Sequence, residues 1–280
     1  MDMAVLLALL ASVCGGLADF IGGVASRRLP AVVVVALSQL AGLTTALVVL
    51  LVAWPGSSNP ADLLWAVGAG VCMMLGLVAF YSALSIGTMG VVAPISALGV
   101  LVPVGWGIIH LGETPGLLAI AGAVLGIVGV VLASGPEMSG RVAARSLVLA
   151  AVAGIGFGAT TTFVAEAASG GVVWTVVVLK LTIVTLALPF LLRDRRAIAD
   201  VPRLWLARSS ILIGVVDVGG LLLLARATTL GYVSLVGVLA SLYPVVTVLL
   251  ARWVLHERMR RVQQVGAAVA FVGVALLGLS

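Results

Sequence analysis

The chain has 280 residues, 62% of them hydrophobic and only 9% charged, with a mean hydropathy of +1.32. A soluble domain carries about 25% charged residues, so this composition cannot supply a water-facing shell and the surface must face lipid. The net charge of +5 does not point to nucleic acid, because the arginines stand between apolar runs and form no patch with aromatics.

A membrane-spanning helix needs about 20 mostly apolar residues. Runs of that kind lie, in chain order, near Ala4–Ala25, Ala31–Trp54, Leu63–Ser85, Met89–Ile109 and Pro115–Ala133. The second half adds Ser146–Ala168, Val172–Leu192, Trp205–Ala225, Tyr232–Leu255 and Val262–Leu279. Turn formers and charges punctuate them, as in Arg27-Arg28-Leu29-Pro30, Pro55 to Pro60, Gly135-Pro136-Glu137 and Arg193-Asp194-Arg195-Arg196. Barrel strands would show polar alternation over about ten residues. These runs are continuous and longer, which predicts an all-α integral membrane protein of ten transmembrane helices.

The stretch from Ala83 to Leu132 repeats from Ala227 to Leu276 at a constant offset of 144. Gly87 matches Gly231, Gly122 matches Gly266 and Gly129 matches Gly273. Glu113 matches Glu257 in a chain whose other glutamates are Glu137 and Glu166 alone. The expected organisation is therefore a five-helix unit over residues 1–134, a linker at 135–145 and a second unit over 146–280. Five spans per unit put the second unit in the membrane upside down, giving two inverted five-helix repeats, the architecture of alternating-access carriers.

Several motifs resemble the EamA-like family of the drug/metabolite transporter superfamily. They are Ala18-Asp19-Phe20-Ile21-Gly22-Gly23 with Ser26-Arg27-Arg28, and Ala79-Phe80-Tyr81-Ser82-Ala83-Leu84 running into Val91-Val92-Ala93-Pro94-Ile95. Leu111-Gly112-Glu113 and its partner Leu255-His256-Glu257-Arg258 each stand between the last two helices of a unit. The resemblance covers essentially the whole chain. It implies a ten-helix fold and transport of small metabolites, and says little about the substrate. Thr114 departs from it, since the family often has a basic residue there.

Charges inside the spans cost about 2.5–3.5 kcal/mol each at the bilayer centre, so they face the bundle interior. Asp19, Lys180 and Asp217 are the central cases. Asp19 shares a face with Gly15, Gly22 and Gly23, and Asp217 with Gly214 and Gly220, so that a helix or a ligand can approach closely. Lys180 needs an anion, which either aspartate could supply. Two readings stand side by side: a buried pair that fixes packing, and a site handling substrate or protons, in which an unpaired Asp takes a proton and Lys180 attracts an anionic substrate group. Tyr81, Ser96, Ser241 and Tyr243 add hydroxyls to the candidate site, and Glu166 stands near the end of span six. Glu113 and Glu257 read as loop anchors or helix caps. Pro94, Pro103 and Pro244 interrupt hydrogen bonding in spans four and nine. Gly122-x-x-x-Gly126 is a close-packing motif for use inside the fold or in a homodimer.

The expected function is secondary transport of a small metabolite, amino-acid-like solute or drug across the cytoplasmic membrane, proton-coupled and running as export. The expected partners are the small-molecule substrate, the proton and membrane lipid. The alternatives are a non-transporting scaffold or assembly subunit, and a membrane-embedded enzyme. A polar central cavity would favour the carrier and a packed apolar centre the scaffold. No enzyme is expected, because no HExxH or GxSxG motif occurs and His110 and His256 fall at opposite faces of the inverted topology. No cofactor or metal is expected either. Gly154-Ile155-Gly156-Phe157-Gly158 follows no strand, and Cys14 and Cys72 sit singly in apolar runs.

The basic residues set an orientation. Arg27, Arg28, Arg141, Arg145, Arg193, Arg195, Arg196, Arg203, Arg208, Arg252, Arg258, Arg260 and Arg261 flank loops on one side, against Arg226 alone on the other. The positive-inside rule makes the rich side cytoplasmic and both termini external, opposite to the usual family orientation. A cytoplasm-active reporter fused to Ser280 should therefore stay silent, and strong activity there would reverse the assignment.

Overall fold

The computed structural model describes residues 3–56, 58–87, 89–112, 114, 116–134, 141–194, 201–256 and 261–278. Among these every regular element is helical. In chain order they are α1 (Met3–Ser26), α2 (Ala31–Ala53), α3 (Pro60–Ile86), α4 (Met89–Ala97), α5 (Leu101–Ile109) and α6 (Leu117–Ser134). The second half holds α7 (Arg141–Ala168), α8 (Val172–Arg193), α9 (Arg203–Thr228), α10 (Val233–Ala240), α11 (Tyr243–Val254) and α12 (Arg261–Gly278). Seven stretches of the described residues are long and apolar enough to cross a membrane, with α10 and α11 together forming one of them. Glu113 and Glu257 lie outside the described residues.

Local signals explain the helix limits. Asn59 caps α3 by accepting from the Ala61 amide at 3.2 Å, and Pro60 takes the first helical position, where no N–H is missed. α2 ends on Trp54 in the left-handed conformation, with φ of 39°. Spans four and nine of the sequence reading are each broken. A single 3₁₀ turn, Leu98–Val100, separates α4 from α5, and a two-residue break at Ser241 and Leu242 separates α10 from α11. Pro103 and Pro244 stand in the first turn after these breaks. Each lacks the N–H that a continuous helix would direct at the carbonyls of Gly99 and Ala240, so each helix restarts there.

Bulk faces outward and small residues face inward. Leu51, Val52, Leu117 and Trp253 are highly exposed, while the buried set is dominated by alanines and valines. This is the expected polarity of a helix bundle in lipid, where close backbone packing replaces hydrophobic collapse. A Cβ at Gly214 in α9 would stand 2.5 Å from the Gly42 nitrogen and 2.7 Å from the Ser38 carbonyl oxygen of α2. Gly70 in α3 meets α8 in the same way, 2.8 Å from the Leu179 oxygen. Gly70 and Gly214 are related by the offset of 144.

Other contacts recur at that offset. α3 runs antiparallel to α7, with Gly87 against Ser146 and Gly76 against Phe157. α9 runs antiparallel to α1, with Gly231 against Ala4 and Gly220 against Cys14. The second set follows from the first when the α3 residues move up by 144 and the α7 residues move down by 144, to within two positions. The Gly122-x-x-x-Gly126 motif is used inside the chain: a Cβ at Gly273 of α12 would lie 2.6 Å from the Gly126 nitrogen and 2.7 Å from the Gly122 oxygen. It is therefore not free to hold a second copy.

These approaches predict a contrast within α9. Gly214→Ala should destabilise by about 1–3 kcal/mol, since the Cβ meets backbone that cannot give way. Gly219→Ala, where a Cβ meets nothing within 4 Å, should leave the melting temperature of the detergent-purified protein unchanged or raised.

Candidate functional site

α1, α3, α4, α7, α9 and α11 meet around a central cavity of about 130 Å³. Its wall includes Asp19, Tyr81, Ser96, Asp217, Ser241 and Tyr243. Six of the eight side chains singled out in the sequence thus border one space. Lys180 and Glu166 do not.

Lys180 is fully buried. Its Nζ forms a salt bridge with Asp217 Oδ2 and donates to Gln39 Oε1 at 2.6 Å. Gln39 completes the ring by donating from Nε2 to Asp217 Oδ2 at 2.9 Å. Three helices, α2, α8 and α9, are thereby tied at one point. Lys180 stands behind Asp217 rather than in the cavity wall, with its charge paired inside the protein. The carboxyl of Asp217 is only 14% exposed and the lysine 0%.

Asp19 differs. It is buried, with 8% of its surface exposed, it lines the cavity, and it makes no hydrogen bond or ion pair among the described residues. The glycines on its face are filled by side chains of the bundle. Gly22 takes the Tyr81 ring, Gly15 takes Tyr243, Gly16 takes Val246 beside the Tyr243 carbonyl, and Gly23 takes Leu84 and Met89. Helix packing, not a ligand, accounts for those small residues, and it brings both tyrosines to the cavity that Asp19 lines.

The hydroxyl groups of the wall are held by their own helices. Ser96 Oγ donates to the Ala93 carbonyl at 2.7 Å and is bonded to the Tyr243 hydroxyl. Ser241 Oγ donates to the Val238 carbonyl at 2.7 Å. Phe157 packs edge-on to Tyr243, with ring centroids 6.1 Å apart at 89°, and lines the same space. Glu166 lies elsewhere, accepting from Trp106 Nε1 at 2.7 Å where Trp106 also stacks with His110 and meets Trp65 edge-on. It anchors α7 to α5.

Sequence reasoning missed Gln39, which satisfies both ends of the ion pair. Its signal was a lone amide in the apolar run of α2. It also missed Phe157, Thr160 and Thr161, which line the cavity from α7. No group of three or more metal-binding side chains occurs among the described residues.

The fold defines a multi-pass helical membrane protein, and its cavity has a mostly apolar wall into which two aspartates are set. The chain belongs to the EamA-like transporter family, whose model matches residues 2–135 and 144–279. It thereby falls in the drug/metabolite transporter superfamily. No curated protein sequence matches the chain. One solved crystal structure superposes with a TM-score of 0.76 at 19% identity, covering 99% of this chain and 96% of that one. At that identity the likeness concerns the fold alone.

The ring of Gln39, Lys180 and Asp217 gives a direct test. Lys180→Ala should destabilise by about 3–5 kcal/mol, because it leaves a buried carboxylate unpaired. Lys180→Met combined with Asp217→Leu should recover much of that loss, as read by thermal unfolding in detergent.

Proposed function

We propose that the protein is a secondary carrier, not a scaffold or an enzyme, that moves a small solute across the cytoplasmic membrane by alternating access. Ten spans are arranged as two inverted five-helix repeats, over residues 1–134 and 146–280 with 135–145 as the linker. The breaks between α4 and α5 and between α10 and α11 let the halves exchange geometry around a common centre. The contacts that recur at the offset of 144 support this arrangement.

The observation that carries the reading is an unpaired carboxyl in a central cavity. A chain selected only for packing would not retain Asp19 at a cost of about 2.5–3.5 kcal/mol when a neighbouring aspartate already satisfies the buried lysine. Asp19 is the site of solute or proton exchange, Asp217 borders it, and Lys180 holds Asp217 in place. Tyr81, Ser96, Ser241 and Tyr243 shape the site. Glu166 serves the helix interface. Transport is coupled to protons through Asp19 and runs as export.

Asp19→Asn should fold like the parent and lose at least tenfold of its proton-driven transport in proteoliposomes, screened against a panel of metabolites. Parent-like rates with parent-like pH dependence in this variant would remove Asp19 from the mechanism.

A further inference from the structure

The cavity wall offers acceptors and almost no donors. Ser96 Oγ gives its single proton to the Ala93 carbonyl, so in its bond with Tyr243 the tyrosine is the donor and that proton too is committed. Thr160 Oγ1 donates to the Gly156 carbonyl at 2.8 Å, Thr161 Oγ1 to the Phe157 carbonyl at 3.1 Å and Ser241 Oγ to the Val238 carbonyl at 2.7 Å. A hydroxyl whose proton is spent keeps only lone pairs for a guest. With Asp19 ionised, the Tyr81 hydroxyl alone among the described lining side chains has an uncommitted proton.

Charge points the same way. Asp19 and Asp217 line the cavity, and among the described residues no lysine or arginine does. The nearby cation, Lys180, is fully buried and already paired with Asp217 and Gln39. The space therefore carries the uncompensated acidity of Asp19. An anionic guest would face two carboxylates with one donor to receive it. Phe157, Tyr81 and Tyr243 add aromatic rings, whose faces attract cations, and Leu77, Val100 and Leu221 supply apolar wall.

We infer that the transported solute is a small organic amine in its protonated form. Its ammonium group donates to the Asp19 carboxylate and to the hydroxyl oxygens of the wall, and its short apolar body lies against the aliphatic side. A volume of about 130 Å³, below the roughly 300–1,000 Å³ of drug-sized pockets, fits a solute of a few heavy atoms. This inference rests on the carrier reading, and binding and movement separate the two.

The test uses three straight-chain probes of similar size: n-butylammonium, n-butanol and n-butyrate. Calorimetric titration of the full-length, detergent-purified protein at neutral pH should show saturable binding of butylammonium at least tenfold tighter than of the other two. Asp19→Asn should weaken it at least tenfold, Asp19→Glu should restore part of it, and Asp62→Asn, at the start of α3 and outside the cavity, should leave it unchanged. Butyrate or butanol binding as tightly as butylammonium, or no binding of butylammonium, overturns the inference, and the parent protein alone decides this if Asp19→Asn fails to fold. Counterflow of the radiolabelled probes in proteoliposomes, against protein-free liposomes, separates the readings. Butylammonium bound but not moved upholds the amine site and rejects the carrier, whereas butyrate moved and butylammonium ignored does the reverse.

Discussion

A lysine with no exposed surface in the middle of an apolar bundle must be neutralised by its surroundings, and the rest of the structure follows from how this is done. The ammonium of Lys180 has three protons to place. Asp217 and Gln39 receive it, and the three residues come from α8, α9 and α2. A buried pair of this kind stabilises little in net terms, because desolvation offsets most of the attraction. Its effect is on register. If α9 slid by one turn against α8, Asp217 would leave the lysine and two charges would be stranded. The close crossing of Gly214 with α2 holds the same helices at the spacing the ring requires.

With Asp217 committed in this way, Asp19 is left alone. Two aspartates and one lysine cannot all be paired, and the geometry decides which one is left over. It is the residue on α1, next to the broken helices, with tyrosines from α3 and α11 bordering the same cavity. The serine and threonine hydroxyls could have offered it donors, yet their protons go to carbonyls one turn back in the chain. The serines and threonines of the wall thus satisfy the backbone first and leave the carboxyl without their protons.

The helices were legible because lipid imposes a single requirement, apolar length, and seven stretches of the described residues meet it. The offset of 144 was legible because glycines at crossings cannot drift: a Cβ at Gly87 would meet Ser146 and one at Gly231 would meet Ala4. The breaks were only half legible. Pro103 and Pro244 announced lost hydrogen bonds, but not that the helix would stop and restart at Leu98–Val100 and at Ser241. Partner choice was less legible still. Nothing in the sequence distance between Lys180 and its two candidate aspartates favours Asp217, and Gln39 stands 141 residues from the lysine it accepts from. Glycines beside Asp19 and Asp217 left room for either a helix or a ligand, and only the packing shows that helices fill it.

The ion pair also has an electrical consequence. A membrane potential of 100 mV acts on one elementary charge with about 2.3 kcal/mol across the full field. Lys180 and Asp217 carry opposite charges in direct contact, so the potential pulls on them equally and in opposite senses, and any movement they make together transfers no net charge. The centre of the molecule is voltage-silent except at Asp19. In the carrier proposed above, whatever neutralises that one carboxylate decides whether a turnover of the bundle is driven by the membrane potential or proceeds without sensing it.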